Sequence, residues 1–395
     1  MSGQRALRLY RLQETTVSRS GPCRSSRLCG EVGVGNDIEE GNDSGHAPLH
    51  RVCGALWRHS EKQRLRQSYP LGRRSSCLTY GDRLMAQRKK YSVYGSCQAP
   101  ALAKMLNSCP TFARDWELVE MEPCFVASEE QIDRHLAETI PKLDLFLYQP
   151  VSEGYRGEKY SSVFLRNSMP PGGSALSVQY MHWEGYHPTV NSPYGLPPHP
   201  EGYVDALIAG AVVMDVDKET YLRHLEEIGA SLRIDIDEIE SWCVDELKSR
   251  EVGENDGGKQ IDISVTDFIL ANCRQKRLFY TMNHPTAALM REIAARCMLA
   301  LGYTYSDISF DQNLDPLDVT KMSLYPIYRD CFDFSELNRM NEYQVLYKKK
   351  AYEPYLLEQF EWFERSPKAD VSAFFDRVAA NRRWVRTALR RAFES

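Results

Sequence analysis

Tyr91-Ser92-Val93-Tyr94-Gly95-Ser96-Cys97-Gln98 is the stretch from which the fold is read. Its first half is short and β-prone, and Gly95 breaks it. Ala99–Leu106 then reads as a helix, with Ala101, Leu102, Met105 and Leu106 on one side. A strand that turns over a glycine into a helix is the first half of a β-α-β unit, and the pattern repeats downstream. Trp116–Met121 reads as a second strand. Glu129–Ile140 reads as a second helix, with Ser128 as N-cap and Gln131 at capping-box spacing. Leu143–Tyr148 is a nearly continuous apolar run, as in a strand buried on both faces. Strands and helices alternating at this spacing imply a mainly parallel sheet with right-handed crossovers, an α/β class of fold.

Outward from this core the pattern changes. Val151–Gly202 is loop-rich, with Pro170-Pro171-Gly172-Gly173 and later Pro193, Pro197, Pro198 and Pro200. Leu176–Trp183 reads as a strand within it. Helices are expected over Val204–Met214, Lys218–Ile228, Ile236–Ser249 and Asp262–Gln275, with a polar break at Glu251–Lys259. Leu278–Met282 reads as a late strand closed by Asn283-His284-Pro285, and Thr286–Leu301 as a helix. Beyond Asp333 the chain reads as mostly helical. The expected organisation is an extension over residues 1–88, an α/β body over 89–335 carrying a helical insertion at about 204–275, and a helical C-terminal extension over 336–395.

Residues 1–90 hold 17 Lys+Arg against 8 Asp+Glu, and the remainder 32 against 46. An Arg- and Ser-rich, weakly periodic leader has three readings: a disordered segment, a targeting segment, or sequence upstream of a true start at Met85. The whole chain of 395 residues has a net charge of −5, which argues against a protein built to neutralise nucleic-acid phosphates. No run of about 18 apolar residues appears, so no membrane span is expected. The 11 cysteines are scattered without C-x-x-C spacings, so neither a zinc site nor a disulfide framework is expected. Free thiols in that number fit a reducing, cytoplasmic setting.

Three segments carry chemistry. Cys97 lies at the carboxyl end of the first strand, where ligands bind in open α/β sheets. There the positive end of the following helix favours thiolate, and backbone N–H groups can hold an oxyanion; the alternative is an inert buried thiol. His284 follows the late strand and suits a general base, with His182, His187 and His199 as competitors. Gln149, after the third strand, can donate a side-chain N–H to an oxyanion; the alternative is a loop Gln bonding to backbone. Tyr155, Arg156, Lys159 and Tyr160 follow it and suit a phosphorylated, adenine-bearing ligand; the alternative is a solvated surface loop. Near the C-terminus, Arg377, Arg382, Arg383, Arg386, Arg390 and Arg391 interleave with Phe375, Val378, Trp384, Val385, Leu389 and Phe393. This basic amphipathic helix is expected to pack on the acidic body.

Gly95-Ser96-Cys97 before a helix, Gln149 after a strand and a late His284-Pro285 resemble the blocks of SGNH/GDSL hydrolases. The chain more closely resembles the WcbI-type family of polysaccharide-biosynthesis acetyltransferases. Gly95-Ser96-Cys97-Gln98 stands at that family's Gly-Asn-Cys-Gln turn, and Tyr148–Ser152 matches its Tyr-Gln-Pro-Val-Ser segment. The resemblance spans about Tyr91–Leu301. It implies an SGNH-like three-layer sandwich and coenzyme A or acetyl-CoA as co-substrate, without a metal. It also implies O-acetyl transfer to a sugar or polysaccharide acceptor, without nucleic acid. Under it Cys97, Gln149 and His284 are catalytic candidates. Gly95, Ser96, Gln98 and Tyr155 are coenzyme-site candidates, with Arg156 and Lys159 for its phosphates. Ser96 departs from the usual Asn. Thr281 stands where SGNH enzymes carry an acid three positions before the His, so a dyad is expected rather than a triad. The rival readings are a carbohydrate esterase on the same residues and a non-catalytic coenzyme- or glycan-binding protein.

Overall fold

The computed structural model describes residues 87–253, 259–334, 342–345 and 347–394. The expected extension therefore lies almost wholly outside the described residues. Strands β1 (Lys89–Tyr94), β2 (Trp116–Leu118), β3 (Leu145–Tyr148) and β4 (Ser174–Ser177) form one parallel sheet in the order β2-β1-β3-β4. Helices cover both of its sides. The chain leaves β1 toward β2 on one side and then returns to place β3 on the other. The crossover direction thus reverses between β1 and β3, and the crevice at such a switch point is where α/β sheets bind ligands.

Side-chain alternation explains the layers. Successive residues of a strand point to opposite faces. Tyr91, Val93, Leu145 and Leu147 enter one buried cluster, with Leu102, Met105 and Leu106 from the helix Gln98–Asn107 and with the helix Ala287–Ala300. Tyr94, Phe146 and Tyr148 enter a second cluster on the other face, with Ile132, Ile140 and Leu165. Leu145–Tyr148 is therefore buried throughout, as its apolar run predicts. The Ser128–Gln131 capping box is present in both directions.

The boundaries differ from expectation in instructive places. The segment read as one strand over Leu176–Trp183 is β4 only to Ser177. Val178 N–H still bonds Tyr148 O at 2.7 Å, but Gln179 N–H turns to Ile263 O at 2.9 Å, so the partner changes and the sheet ends. Leu278–Met282 does not extend the sheet. Phe279–Thr281 pairs antiparallel with His284–Pro285 as a separate two-stranded piece. The stretch read as helical after Asp333 begins with a hairpin, Glu342–Val345 with Lys348–Ala351.

The helices of the insertion and the C-terminus share the first cluster, which runs from Tyr91 to Ala392. The helix Ala206–Val213 lies against Tyr352–Arg365, Lys368–Asn381 and Arg383–Phe393. Gly210 permits that approach, since a Cβ there would overlap Leu389 and Phe375. The basic helix packs as its amphipathic pattern predicts. Trp384, Val385, Ala388 and Leu389 are buried, while Arg383, Arg386 and Arg391 pair with Glu238, Asp376 and Asp235. No helix among the described residues is long and apolar enough to cross a membrane.

Val93, Leu147 and Leu176 form one row across the sheet by register. Leu147→Ala in its centre should lower unfolding free energy by about 2–5 kcal/mol, read as a shift of the urea midpoint. An unchanged midpoint would contradict the central placing of β3.

Candidate functional site

The turn after β1 is built around Gly95. Its φ is +150°, and a Cβ would come within 2.7 Å of Gln149 Oε1. Glycine is needed on both counts. Ser96 N–H and Ser96 Oγ–H both donate to Gln149 Oε1, at 3.1 and 2.7 Å. This binds the end of β1 to the residue that follows β3. Cys97 takes the N-cap position of the helix Gln98–Asn107, and its side chain makes no cap hydrogen bond. The thiol is half-buried, beside the helix's positive end.

Gln98 lies underneath, fully buried. Its Nε2 donates to Met181 O (2.6 Å) and Asn283 O (2.8 Å). Its Oε1 accepts from Gln149 Nε2 (2.8 Å) and Met181 N–H (3.0 Å). One amide thus ties together the cysteine turn, the end of β3, the chain beyond β4 and the loop that carries His284.

These elements line one cavity of about 490 Å³. Ser96, Cys97, Gln149, Tyr155 and His284, all candidates from sequence, are on its wall. Gly95 and Gln98 are not, and act as the frame behind it. Arg156 and Lys159 are not on the wall either. Arg156 Nη1 donates to Cys124 O (2.9 Å) and Ala127 O (2.8 Å), and its guanidinium lies over the Tyr160 ring. Lys159 Nζ pairs with Asp133 (2.7 Å) and Glu129 (3.4 Å). In the unliganded chain their charges are taken up in loop packing and a surface ion cluster. Gln149 likewise makes its hydrogen bonds within this frame. Its N–H groups go to Gln98 Oε1 (2.8 Å) and Gln179 O (3.5 Å), and its oxygen is held by Ser96.

His284 stands on the cavity wall with its Nδ1 buried, and that nitrogen has no hydrogen-bond partner among the described residues. Burial pulls the imidazole down from 6.5 to about 4, because the charged form is poorly solvated there. Among the described residues no carboxylate is hydrogen-bonded to its Nδ1. The carboxylate–imidazole pair of this cavity is elsewhere: His182 Nε2 lies 3.3 Å from Glu184 Oε1. Glu184 also pairs with Arg382, and Arg250 Nη2 approaches His182 Nδ1 at 3.4 Å. Burial holds His182 well below the usual histidine range and raises Glu184 to about 7, against the pull of Arg382. His187 and His199, the other competitors, do not line the cavity.

Sequence reasoning missed Tyr180, Glu184, Tyr203, Arg250 and Arg382 as wall residues. Arg382 was legible only as part of a basic helix, and Glu184 and Arg250 belong to no motif. Four tyrosines and Phe125 give the cavity an aromatic lining. Among the described residues, no group of three or more side chains could hold a metal ion.

A family model described as the polysaccharide biosynthesis enzyme WcbI matches residues 90–306. A solved structure described as WcbI, a novel polysaccharide biosynthesis enzyme, is 99% identical, with a TM-score of 0.76. The match covers 78% of this chain and 100% of that one. That structure is further described as the native protein without a disulfide bond between coenzyme A and one of its cysteines. No curated protein matches the chain.

Gln98→Leu removes one amide and strands two donors and two acceptors of its neighbours. The expected loss of stability is on the order of 3 kcal/mol, measured by urea unfolding, with a weakened ligand affinity measured alongside. A loss no larger than that of a surface substitution would show that Gln98 does not hold the site together.

Proposed function

This chain belongs to the WcbI family of polysaccharide biosynthesis enzymes, and from that membership we propose that it transfers an acetyl group from acetyl-CoA to a sugar hydroxyl. The observation that carries the reading is the meeting, in one cavity at the sheet's switch point, of Cys97 and a neutral His284. The 99% identical structure, described as without a disulfide bond between coenzyme A and one of its cysteines, supports a coenzyme role. Cys97 is the one described cysteine that is both at a helix N-terminus and on the cavity wall. The aromatic wall suits a sugar ring, whose C–H faces lie well on aromatic rings, and Asn191 and Ser192 offer hydrogen bonds to hydroxyls.

The proposed chemistry has two steps. Cys97 gives its thiol proton to His284 as its sulfur attacks the thioester carbonyl, the bond to the coenzyme sulfur breaks with that proton passed to it, and the acetyl group is left on Cys97. The coenzyme leaves as its thiol. A thioester is exchanged for a thioester, so this step is close to isoenergetic. His284 then takes the proton of the sugar hydroxyl while its oxygen attacks the acetyl carbonyl. The Cys97–acetyl bond breaks and the thiolate recovers a proton from the imidazolium. A neutral imidazole can begin this cycle; a protonated one cannot. The apolar environment that lowers His284 keeps it ready at neutral pH. The rest of the proposal is a cytoplasmic setting, where acetyl-CoA is available.

Two outcomes follow. Titration of the chain with coenzyme A by calorimetry should show micromolar binding, about −8 kcal/mol. Acetyl-CoA should leave one acetyl group on Cys97, found by peptide mass. Cys97→Ser with full turnover and no acetyl-enzyme would remove the covalent step and leave direct transfer. No binding by the folded chain would remove the transferase reading. Second, the acidic limb of kcat/KM assigned to His284 should lie near pH 4 rather than 6.5. The unfolded chain takes up this proton near 6.5 and the folded chain only near 4, so the same group costs stability as pH falls through that window. A limb at 6.5 that His284→Asn abolishes would contradict the buried, neutral placing.

A further inference from the structure

Gln149 makes its hydrogen bonds within the frame, so another fixed donor on the wall has to be found for the oxyanion. An acyl transfer puts negative charge on the carbonyl oxygen, and a preformed donor stabilises that charge. We propose that the Tyr180 hydroxyl donates this hydrogen bond. The proposal rests on the acetyl-transfer reading above and names a residue of the same site.

Tyr180 is on the cavity wall with Cys97 and His284. Its hydroxyl oxygen accepts from Asn283 Nδ2 at 3.2 Å. Among the described residues no group accepts the hydroxyl's own proton. Asn283 is in turn fixed, its Oδ1 accepting from Tyr203 OH (2.7 Å) and Thr281 Oγ1 (3.2 Å). The Asn283 amide therefore occupies one lone pair of the phenol and leaves the proton for a ligand.

The backbone that carries Tyr180 is held on both sides. Gln179, just before it, donates to Thr266 Oγ1 (2.7 Å) and Leu247 O (3.3 Å) and accepts from Val265 N–H (2.9 Å). Met181, just after it, is held through both its N–H and its carbonyl by Gln98. A donor fixed in this way needs no reorganisation when charge appears. The Arg250 guanidinium sits 5.2 Å from the ring centroid, and a cation over the ring strengthens the phenol as a donor. Burial, and then the charge of Cys97, raise Tyr180, so it stays protonated and donates rather than ionises.

In the transfer step the nucleophile's electron pair forms the new bond to the carbonyl carbon, and the carbonyl π pair moves onto oxygen. Tyr180 keeps its proton and shares it with that oxygen. On collapse the pair returns, the carbon–sulfur bond breaks, and the departing thiolate takes its proton from the imidazolium. The same donor serves the formation and the loss of the acetyl-enzyme.

The test uses a trifluoromethyl ketone analogue of acetyl-CoA, whose carbonyl adds the Cys97 thiol or water to become tetrahedral. Its affinity is compared with that of coenzyme A itself, by calorimetry and fluorine NMR, in the full chain. The wild type should prefer the analogue. Tyr180→Phe should lose about 100-fold of that preference with coenzyme A affinity unchanged. Thr281→Val removes a different hydrogen bond from Asn283 and should keep the preference. A Tyr180→Phe variant that retains it, a Thr281→Val variant that loses it equally, or a wild type without it would each overturn the proposal. A wild type that prefers the analogue yet acetylates no sugar would sink the transfer reading and leave Tyr180's role standing.

Discussion

Four hydrogen bonds on the buried Gln98 amide hold four parts of the chain at one point. An amide of this kind is expensive to bury unless every donor and acceptor is met. Here all are met, and by partners 51, 83 and 185 residues away in sequence. None of those partners lies in the helix that Gln98 begins. The cysteine turn, the end of β3 and the His284 loop are consequently fixed relative to one another before any ligand arrives. Gly95 is the companion constraint, because only a residue without Cβ lets the turn close over Gln149.

The cavity assembled on this frame has a largely apolar and aromatic wall with its charged groups paired. Its two imidazoles, His182 and His284, are both pushed toward the neutral form by burial. Its arginines are offset: Arg382 pairs with Glu184, and Arg250 with Glu246 at the rim. A negative charge formed in such a place depends on fixed donors more than on bulk field. That is why the commitment of Gln149 to the frame matters. The Gln149 amide is hydrogen-bonded within the scaffold, and under the proposal above the Tyr180 hydroxyl on the same cavity wall takes the donor role.

The sheet was legible because its signals are local. The strand Tyr91–Tyr94, the helix after it, the Ser128–Gln131 box and the apolar run before Gln149 each carry their own pattern, and each is present. The motif residues Cys97, Gln149 and His284 could be named because they stand beside element ends, and they do meet in one cavity. What sequence could not reveal was where each side chain's hydrogen bonds go. Gln149 reads as a donor to ligand until Ser96 and Gln98 are seen to use both ends of its amide. The carbonyl partners of Arg156 and the carboxylate partners of Lys159 are likewise not written in the sequence. Tyr180, Glu184, Arg250 and Arg382 come from a loop-rich stretch, a helix end and the start of the last helix. No periodicity marks them, because only tertiary packing brings them to the same wall.

The central claim is that this cavity moves an acetyl group from sulfur to a sugar oxygen. It is tested most directly by supplying acetyl-CoA carbon-labelled in the acetyl group, together with the polysaccharide's saccharide units, and following the label by NMR. The account predicts label in an O-acetyl ester on the sugar, with one coenzyme thiol released for each ester formed. Label found only as free acetate, or remaining in the thioester, would contradict it.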